Sequence, residues 1–230
     1  MNWNDLLFRI FPYVATVLFV VVTIYRLRYR PFTVSSLSSQ LLEREKLFWG
    51  SVSFHWGLTL ILLAHLAALL VPSSFEAWNS TPVRLYALEG TGLALGLWAL
   101  VGLGVLLYRR LRSDRVRAVT TPMDFVVLGL LLAQVVSGLL VAIGYRFGSF
   151  WGTGVFVPYM RSLFTLSPRP ELVADLPWII QTHAALFFVF LAVFPFTRLV
   201  HIVTLPLGYL VRPWQIVIWP GKRTTHRSPS

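Results

Sequence analysis

The chain has no cysteine, only nine Asp or Glu, and two Lys among its 230 residues. Without cysteine there is no disulfide framework, no thiolate-held iron–sulfur cluster, no cysteine zinc site and no haem attached through C-x-x-C-H. Charge of either sign is scarce: 13% of residues, against about 25% in an ordinary soluble domain. What fills the space is apolar, with 56% hydrophobic residues and a mean hydropathy of +0.69. One compact core of this length cannot hide so many apolar side chains, and the same numbers exclude disorder. The formal charge of +11 raises nucleic acid as a partner, but long apolar runs separate the basic residues, so no soluble basic face results. The lipid membrane is the partner that composition favours, with no nucleic acid.

The 29 charged positions leave five long charge-free gaps, at 10–25, 47–75, 90–108, 125–145 and 176–197. A hydrocarbon core takes about 20 residues at 1.5 Å each. Four gaps are long enough outright, and the first qualifies because Arg9 and Arg26 flank it and snorkel to the headgroups. The expected architecture is all-α: five transmembrane helices at about 10–25, 48–71, 90–108, 125–145 and 178–201, forming one membrane domain over 1–212 with a cytoplasmic tail at 213–230. Residues 147–160 (FGSFWGTGVFVPYM), with three Gly and a Pro, read as an interfacial loop, and Pro206 and Gly208 as the end of the fifth helix. No cleavable signal precedes the first span, since Asp5 and Arg9 interrupt it.

Fifteen basic residues fall in the segments 26–46, 109–124 and 198 onward, against five on the opposite side: Arg9, Arg84, Arg146, Arg161 and Arg169. The positive-inside rule then places the N-terminus outside and the C-terminus in the cytoplasm. Trp49, Trp78, Trp151 and Trp178 stand near expected helix ends, as in an aromatic belt. Most of the positive charge is thereby explained as topology.

Four of the five histidines fall within the spans or at their ends: His55 and His65 on the second, His183 and His201 on the fifth. His226 lies in the polar tail. Ionisable side chains inside a bilayer are rare and mark functional sites by default. A lone one is also explained by a neutral imidazole bonded to another helix, but two on each of two helices are harder to explain so. The 18-residue spacing of His183 and His201 is about five full turns, placing both on one helical face roughly 27 Å apart. The 10-residue spacing of His55 and His65 leaves them roughly 80° and about 15 Å apart. The two helices run antiparallel, so His65 meets His183 near the outer face and His55 meets His201 near the cytoplasmic one. The unequal rises require tilted ligand axes.

A zinc ion would want three or four protein ligands, and no third lies at these depths. An iron porphyrin needs only two axial imidazoles, because the macrocycle supplies four nitrogens. Two noncovalent b-type haems follow, His65 and His183 holding the outer iron and His55 and His201 the inner. Gly57 and Gly90, Gly92, Gly96, Gly102 and Gly104 offer room for porphyrin or serve as packing devices. The arginines at 109–117 are candidate partners for haem propionates or plain topology markers.

With its histidines so placed, the chain closely resembles the cytochrome b (gamma) subunit of respiratory membrane-bound nitrate reductase, to about Arg212. The most specific parts are SSQLLERE before the second span, F-H-x-G with His55 and His65, RVRAVTT at 115–121, and FPFTRLVHI ending at Ile202. The resemblance implies a multi-pass subunit of a bacterial or archaeal cytoplasmic (inner) membrane that oxidises quinol, menaquinol or ubiquinol, near the outer face. Electrons then pass through the haems to an iron–sulfur subunit and on to a molybdenum-containing catalytic subunit that reduces nitrate. It also implies a basic residue at the quinol pocket, where Arg84 stands in place of the family's more familiar Lys, or a headgroup anchor. Ala64 stands where a glycine often precedes the second histidine.

Two alternatives remain at this level. One is the cytochrome b subunit of another quinone-linked complex, such as a sulfite- or heterodisulfide-type reductase, or one coupled to hydrogenase or formate dehydrogenase. The other is a haem-free membrane anchor or transporter. The latter's expected signs are weak, with no inverted repeat and no carboxylate within the charge-free spans.

Overall fold

A computed structural model of the chain describes residues 3–29, 44–118 and 120–199. These residues are all-helical, without a strand among them, and five of the helices are long and apolar enough to cross a membrane. The first, α1, spans Trp3–Tyr29. It starts well before the charge-free gap because Asp5 and Arg9 pair across one turn at 3.4 Å and neutralise each other's charge. Within it, Leu6–Ile10 form a π-helical turn ahead of Pro12. A proline offers no N–H and its ring crowds the carbonyl four residues back, here that of Phe8, so the ladder widens at that point.

Next come α2 (Arg44–Leu70), α3 (Pro72–Asn79), α4 (Pro82–Arg112), α5 (Asp114–Arg117), α6 (Pro122–Gly144), α7 (Gly148–Phe164), α8 (Glu171–Ala174) and α9 (Trp178–Val193). Proline opens α3, α4 and α6, where a missing N–H costs nothing. At the start of α6 the Asp124 carboxylate accepts the Thr121 N–H at 2.8 Å and pairs with Arg110 of α4 at 3.1 Å. One carboxylate thus caps a helix and ties two spans together.

Two expectations are corrected. The third span reaches back to Pro82, since a helix continues through charged residues once these stand at its end, so Arg84 and Glu89 both lie on α4. The run expected to be an interfacial loop is the helix α7, despite its glycines and Pro158. Tertiary contacts override its poor propensity. The Glu89 carboxylate accepts the Ser149 N–H at 2.9 Å and also the Ser149 hydroxyl, satisfying orphan donors of the first turn. Farther along, Tyr159 is fully buried against Phe8, edge to face at 6.2 Å.

Neighbours in the bundle run in the order α2, α4, α6, α9, α1. The closest approach is between α2 and α4, where a Cβ on Gly57 would meet the Leu95 carbonyl oxygen at 2.7 Å and one on Gly102 the Phe54 nitrogen at 2.6 Å. These glycines and Gly96, against Leu139, are packing devices, which removes them as space for a porphyrin. Gly90, Gly92 and Gly104 face open space. By contrast α2 and α9, which carry the histidines, share no extended packing among the described residues. The outward faces of the spans carry Val, Leu, Ile and Phe, with Trp49 72% and Trp178 74% exposed at span ends. Such a surface is soluble only in lipid.

The fifth span also departs from expectation. Its α-helix stops at Val193, Phe194–Phe196 form a 3₁₀ turn around Pro195, and Thr197 is a bend. The five-turn phase between His183 and His201 assumed unbroken α-helix and does not apply. His201, His226, the segment around Pro206 and Gly208, and the tail lie outside the described residues.

Candidate functional site

Three of the four candidate ligands are described, and their ring hydrogen bonds follow one rule. On α2 the His55 Nδ1 lies 2.7 Å from the Ser51 carbonyl and the His65 Nδ1 lies 2.8 Å from the Ile61 carbonyl. A carbonyl only accepts, so both Nδ1 atoms carry a proton, and in a neutral ring Nε2 is then the atom with the lone pair. His183 on α9 reaches the same state by another route. Its Nδ1 lies 2.9 Å from the Ser137 hydroxyl of α6, and that hydroxyl gives its own proton to the Gln134 carbonyl at 3.0 Å. The hydroxyl must therefore accept from Nδ1, leaving the lone pair again on Nε2. The Gln134 carbonyl is itself within hydrogen-bonding reach of the ring.

His65 and His183 are close enough to interact electrostatically, although the helices that carry them are not packed together. His55 lies ten residues before His65 on α2, with Phe54 edge to face against its ring at 5.2 Å. No cluster of three or more His, Cys, Asp or Glu forms among the described residues. A site with two neutral imidazoles suits a metal that brings its remaining ligands with it, as iron in a porphyrin does.

The residues around the His183 ring were missed by sequence reasoning, yet they carry a signal. Gln134, Ser137 and Gly138 are spaced i, i+3, i+4 and make one polar, small-residue stripe on an otherwise apolar span. Ser137 is 5% exposed, and a Cβ on Gly138 would come within 2.9 Å of the His183 Cε1. Only glycine there lets the ring lie against α6. The Gln134 side-chain oxygen is buried without a hydrogen bond.

Arg84 is exposed at the start of α4. It donates to the Thr81 hydroxyl at 2.5 Å and stacks over Trp78 at 5.2 Å. Two residues on, Tyr86 begins the lining of an open groove of about 580 Å³ along the same helix, which takes in Ala87 and Gly90 and reaches Trp98. The arginines of the 109–117 segment are partly committed elsewhere: Arg110 to Asp124, Arg117 to Asp114 at 3.7 Å, and Arg112 over Tyr108.

Five apolar spans define the class, an all-helical, multi-pass membrane protein. Within that class the chain belongs to the nitrate reductase gamma subunit family, whose model matches residues 4–220. It is 33% identical to the nitrate reductase gamma chain of Bacillus subtilis, over 93% of this chain and 97% of that one. It is 34% identical to the respiratory nitrate reductase 1 gamma chain of Escherichia coli, over 93% and 96%. A more distant likeness, 26% over 66% of this chain and 45% of the other, is to the Hdr-like menaquinol oxidoreductase cytochrome b-like subunit of Archaeoglobus profundus.

Proposed function

We propose that this chain is the membrane cytochrome b subunit of a nitrate reductase, oxidising quinol and passing electrons through two bis-histidine haem b groups to a partner. The observation that carries the reading is the shared ring state of His55, His65 and His183. Each commits Nδ1–H to a fixed acceptor and presents a free Nε2, as metal-ligating histidines do. His65 and His183 would hold one iron, towards the outer face; His55 and His201 would hold the other, towards the cytoplasm. Haem b, when bound, would supply reversible one-electron exchange.

The rest is the work of the chain's own residues. The spans exclude water and ions from the path between the two ligand pairs. Arg84, two positions before the lining of the α4 groove begins, would orient a quinol oxygen as a hydrogen-bond donor. Oxidation of one quinol releases two protons and two electrons. With the protons leaving at the outer face and the electrons moving inward, turnover is electrogenic. The electrons leave to an iron–sulfur subunit, and nitrate is reduced on a molybdenum-containing subunit. Family membership and the two gamma-chain relatives support the nitrate reductase setting. The Archaeoglobus likeness supports quinol as the electron source and favours one second reading, the cytochrome b subunit of a different quinol-oxidising complex. Co-purified subunits discriminate between the two.

The test is a reduced-minus-oxidised spectrum of the complex in purified membranes. Two b-type haems per chain are expected. His65→Ala and His183→Ala should each abolish one, and the same one. Loss of different haems overturns the pairing, and absence of b-type bands overturns the function. Proteoliposomes that oxidise quinol without building a membrane potential refute the vectorial step.

A further inference from the structure

The geometry points to Ser137 as the positioning residue that sets the ring plane and donor strength of His183 as an iron ligand. This rests on the assignment of His183 to the outer haem.

His55 and His65 each bond to a carbonyl one turn back on their own helix, so α2 alone fixes their rings. His183 instead reaches across to α6, to a residue 46 positions away in sequence. Its orientation is therefore a property of the α6–α9 interface. Two neighbouring residues control it, beside the Gln134 carbonyl that also lies within reach of the ring. Gly138 leaves room for the ring to lie against α6, since a Cβ there would stand 2.9 Å from Cε1. Ser137 then catches Nδ1–H at 2.9 Å, and its hydroxyl can accept in only one way because its proton goes to the Gln134 carbonyl at 3.0 Å. Donation to that carbonyl polarises the Ser137 oxygen and makes it a better acceptor. A stronger acceptor at Nδ1 raises the basicity of Nε2, which favours the ferric over the ferrous state. Ser137 thereby holds the outer haem's potential down, so that electrons delivered there move on towards the inner haem.

The experiment is a redox titration of both haems in the intact complex, with electron paramagnetic resonance of the oxidised protein. Ser137→Ala is expected to shift the outer haem's midpoint upward and move its low-spin signal, leaving the inner haem as in the wild type. Ser137→Thr keeps the hydroxyl and should restore both readouts. If the alanine variant does not accumulate, Ser137→Cys retains a weaker acceptor, and a smaller upward shift is expected. An unaltered outer midpoint and signal in a variant that holds both haems overturns the proposal, as does a shift of the inner haem instead. Wild-type protein without b-type bands would instead refute the function, a separate outcome.

Discussion

Arg26, in the last turns of the first span, donates to the Thr197 carbonyl at the end of the fifth at 2.8 Å, and to the Pro195 carbonyl beside it. The need for it follows from sequence. Pro195 ends the α-helix of the fifth span, so carbonyls near the break have no helical N–H ahead of them. Thr197 closes the turn locally, its hydroxyl donating to the Phe194 carbonyl and accepting from the Leu199 N–H at 3.1 Å. The cation from α1 completes the cap and counters the negative end of the helix dipole. His201, the fourth candidate ligand, follows Thr197 by four residues in sequence.

Replacing Arg26 by Met should therefore lower stability, by about 1.5–3 kcal/mol for a charge-assisted hydrogen bond lost. Its effect on cofactor content should be selective, depleting the haem assigned to His55 and His201 while sparing the other. Arg26→Lys, with a single point donor, should fall between. Thermal unfolding in detergent, followed at the two haem absorption bands, measures both effects. Selective loss of the outer haem would show that this cap does not serve His201.

Two glycines of α4, two positions apart, should respond oppositely to alanine. A Cβ on Gly102 would lie 2.6 Å from the Phe54 nitrogen and 2.8 Å from the Gly50 carbonyl oxygen, both backbone atoms that move only if α2 and α4 separate. Gly102→Ala should cost about 1–3 kcal/mol or more, and it displaces the residue before His55. Gly104 has nothing within 4 Å, so Gly104→Ala should be neutral or gain up to about 1 kcal/mol in helix propensity. Paired unfolding curves decide the matter. Equal destabilisation would contradict the close packing of α2 on α4.

The five spans were legible because lipid imposes one strong demand, a long run free of charge, and the sequence meets it five times. Their ends were not, because ion pairs such as Asp5–Arg9 let a helix run on past its first charge. The helix α7 was illegible for another reason. Its glycines and proline argue against a helix, and what holds it is a carboxylate on a different span, Glu89, together with the burial of Tyr159. The candidate histidines announced themselves as titratable groups in apolar runs. Ser137 and Gly138 did not, since small residues in membrane helices mostly serve packing and only the fold shows which one meets a ring. The break at Pro195 is written in the sequence, and an 18-residue phase of unbroken helix does not hold across it.

Arg84 should matter to quinol and not to the assembled protein. The side chain is exposed, held by Thr81 and Trp78, and belongs to a residue two positions before Tyr86, where the lining of the α4 groove begins. Arg84→Gln removes the charge and the fork of donors, and should raise the KM for quinol about tenfold, equivalent to 1.4 kcal/mol. Haem content should be unchanged, as should nitrate reduction driven by a soluble donor that feeds the partner subunits directly. Unaltered quinol kinetics would leave Arg84 as a headgroup anchor.

The last prediction concerns pH and the proline of the first span. Pro12 cannot donate to the Phe8 carbonyl, and the Tyr159 hydroxyl donates to it instead at 2.9 Å. Burial, reinforced by the neighbouring Tyr13, raises the Tyr159 phenol well above the ordinary tyrosine range. The folded state therefore favours the neutral phenol more strongly than the unfolded chain does. The stability this contributes is complete below the unfolded pKa of about 10 and is lost as pH rises beyond it. Tyr159→Phe should lower the Tm at neutral pH, leaving a buried carbonyl unpaired at a cost of about 1–3 kcal/mol. It should also flatten the alkaline decline, since the variant has no proton to lose there. Thermal unfolding in detergent from about pH 8 to about pH 12 tests both together. A variant that declines as steeply as the wild type would place the alkaline transition on another group.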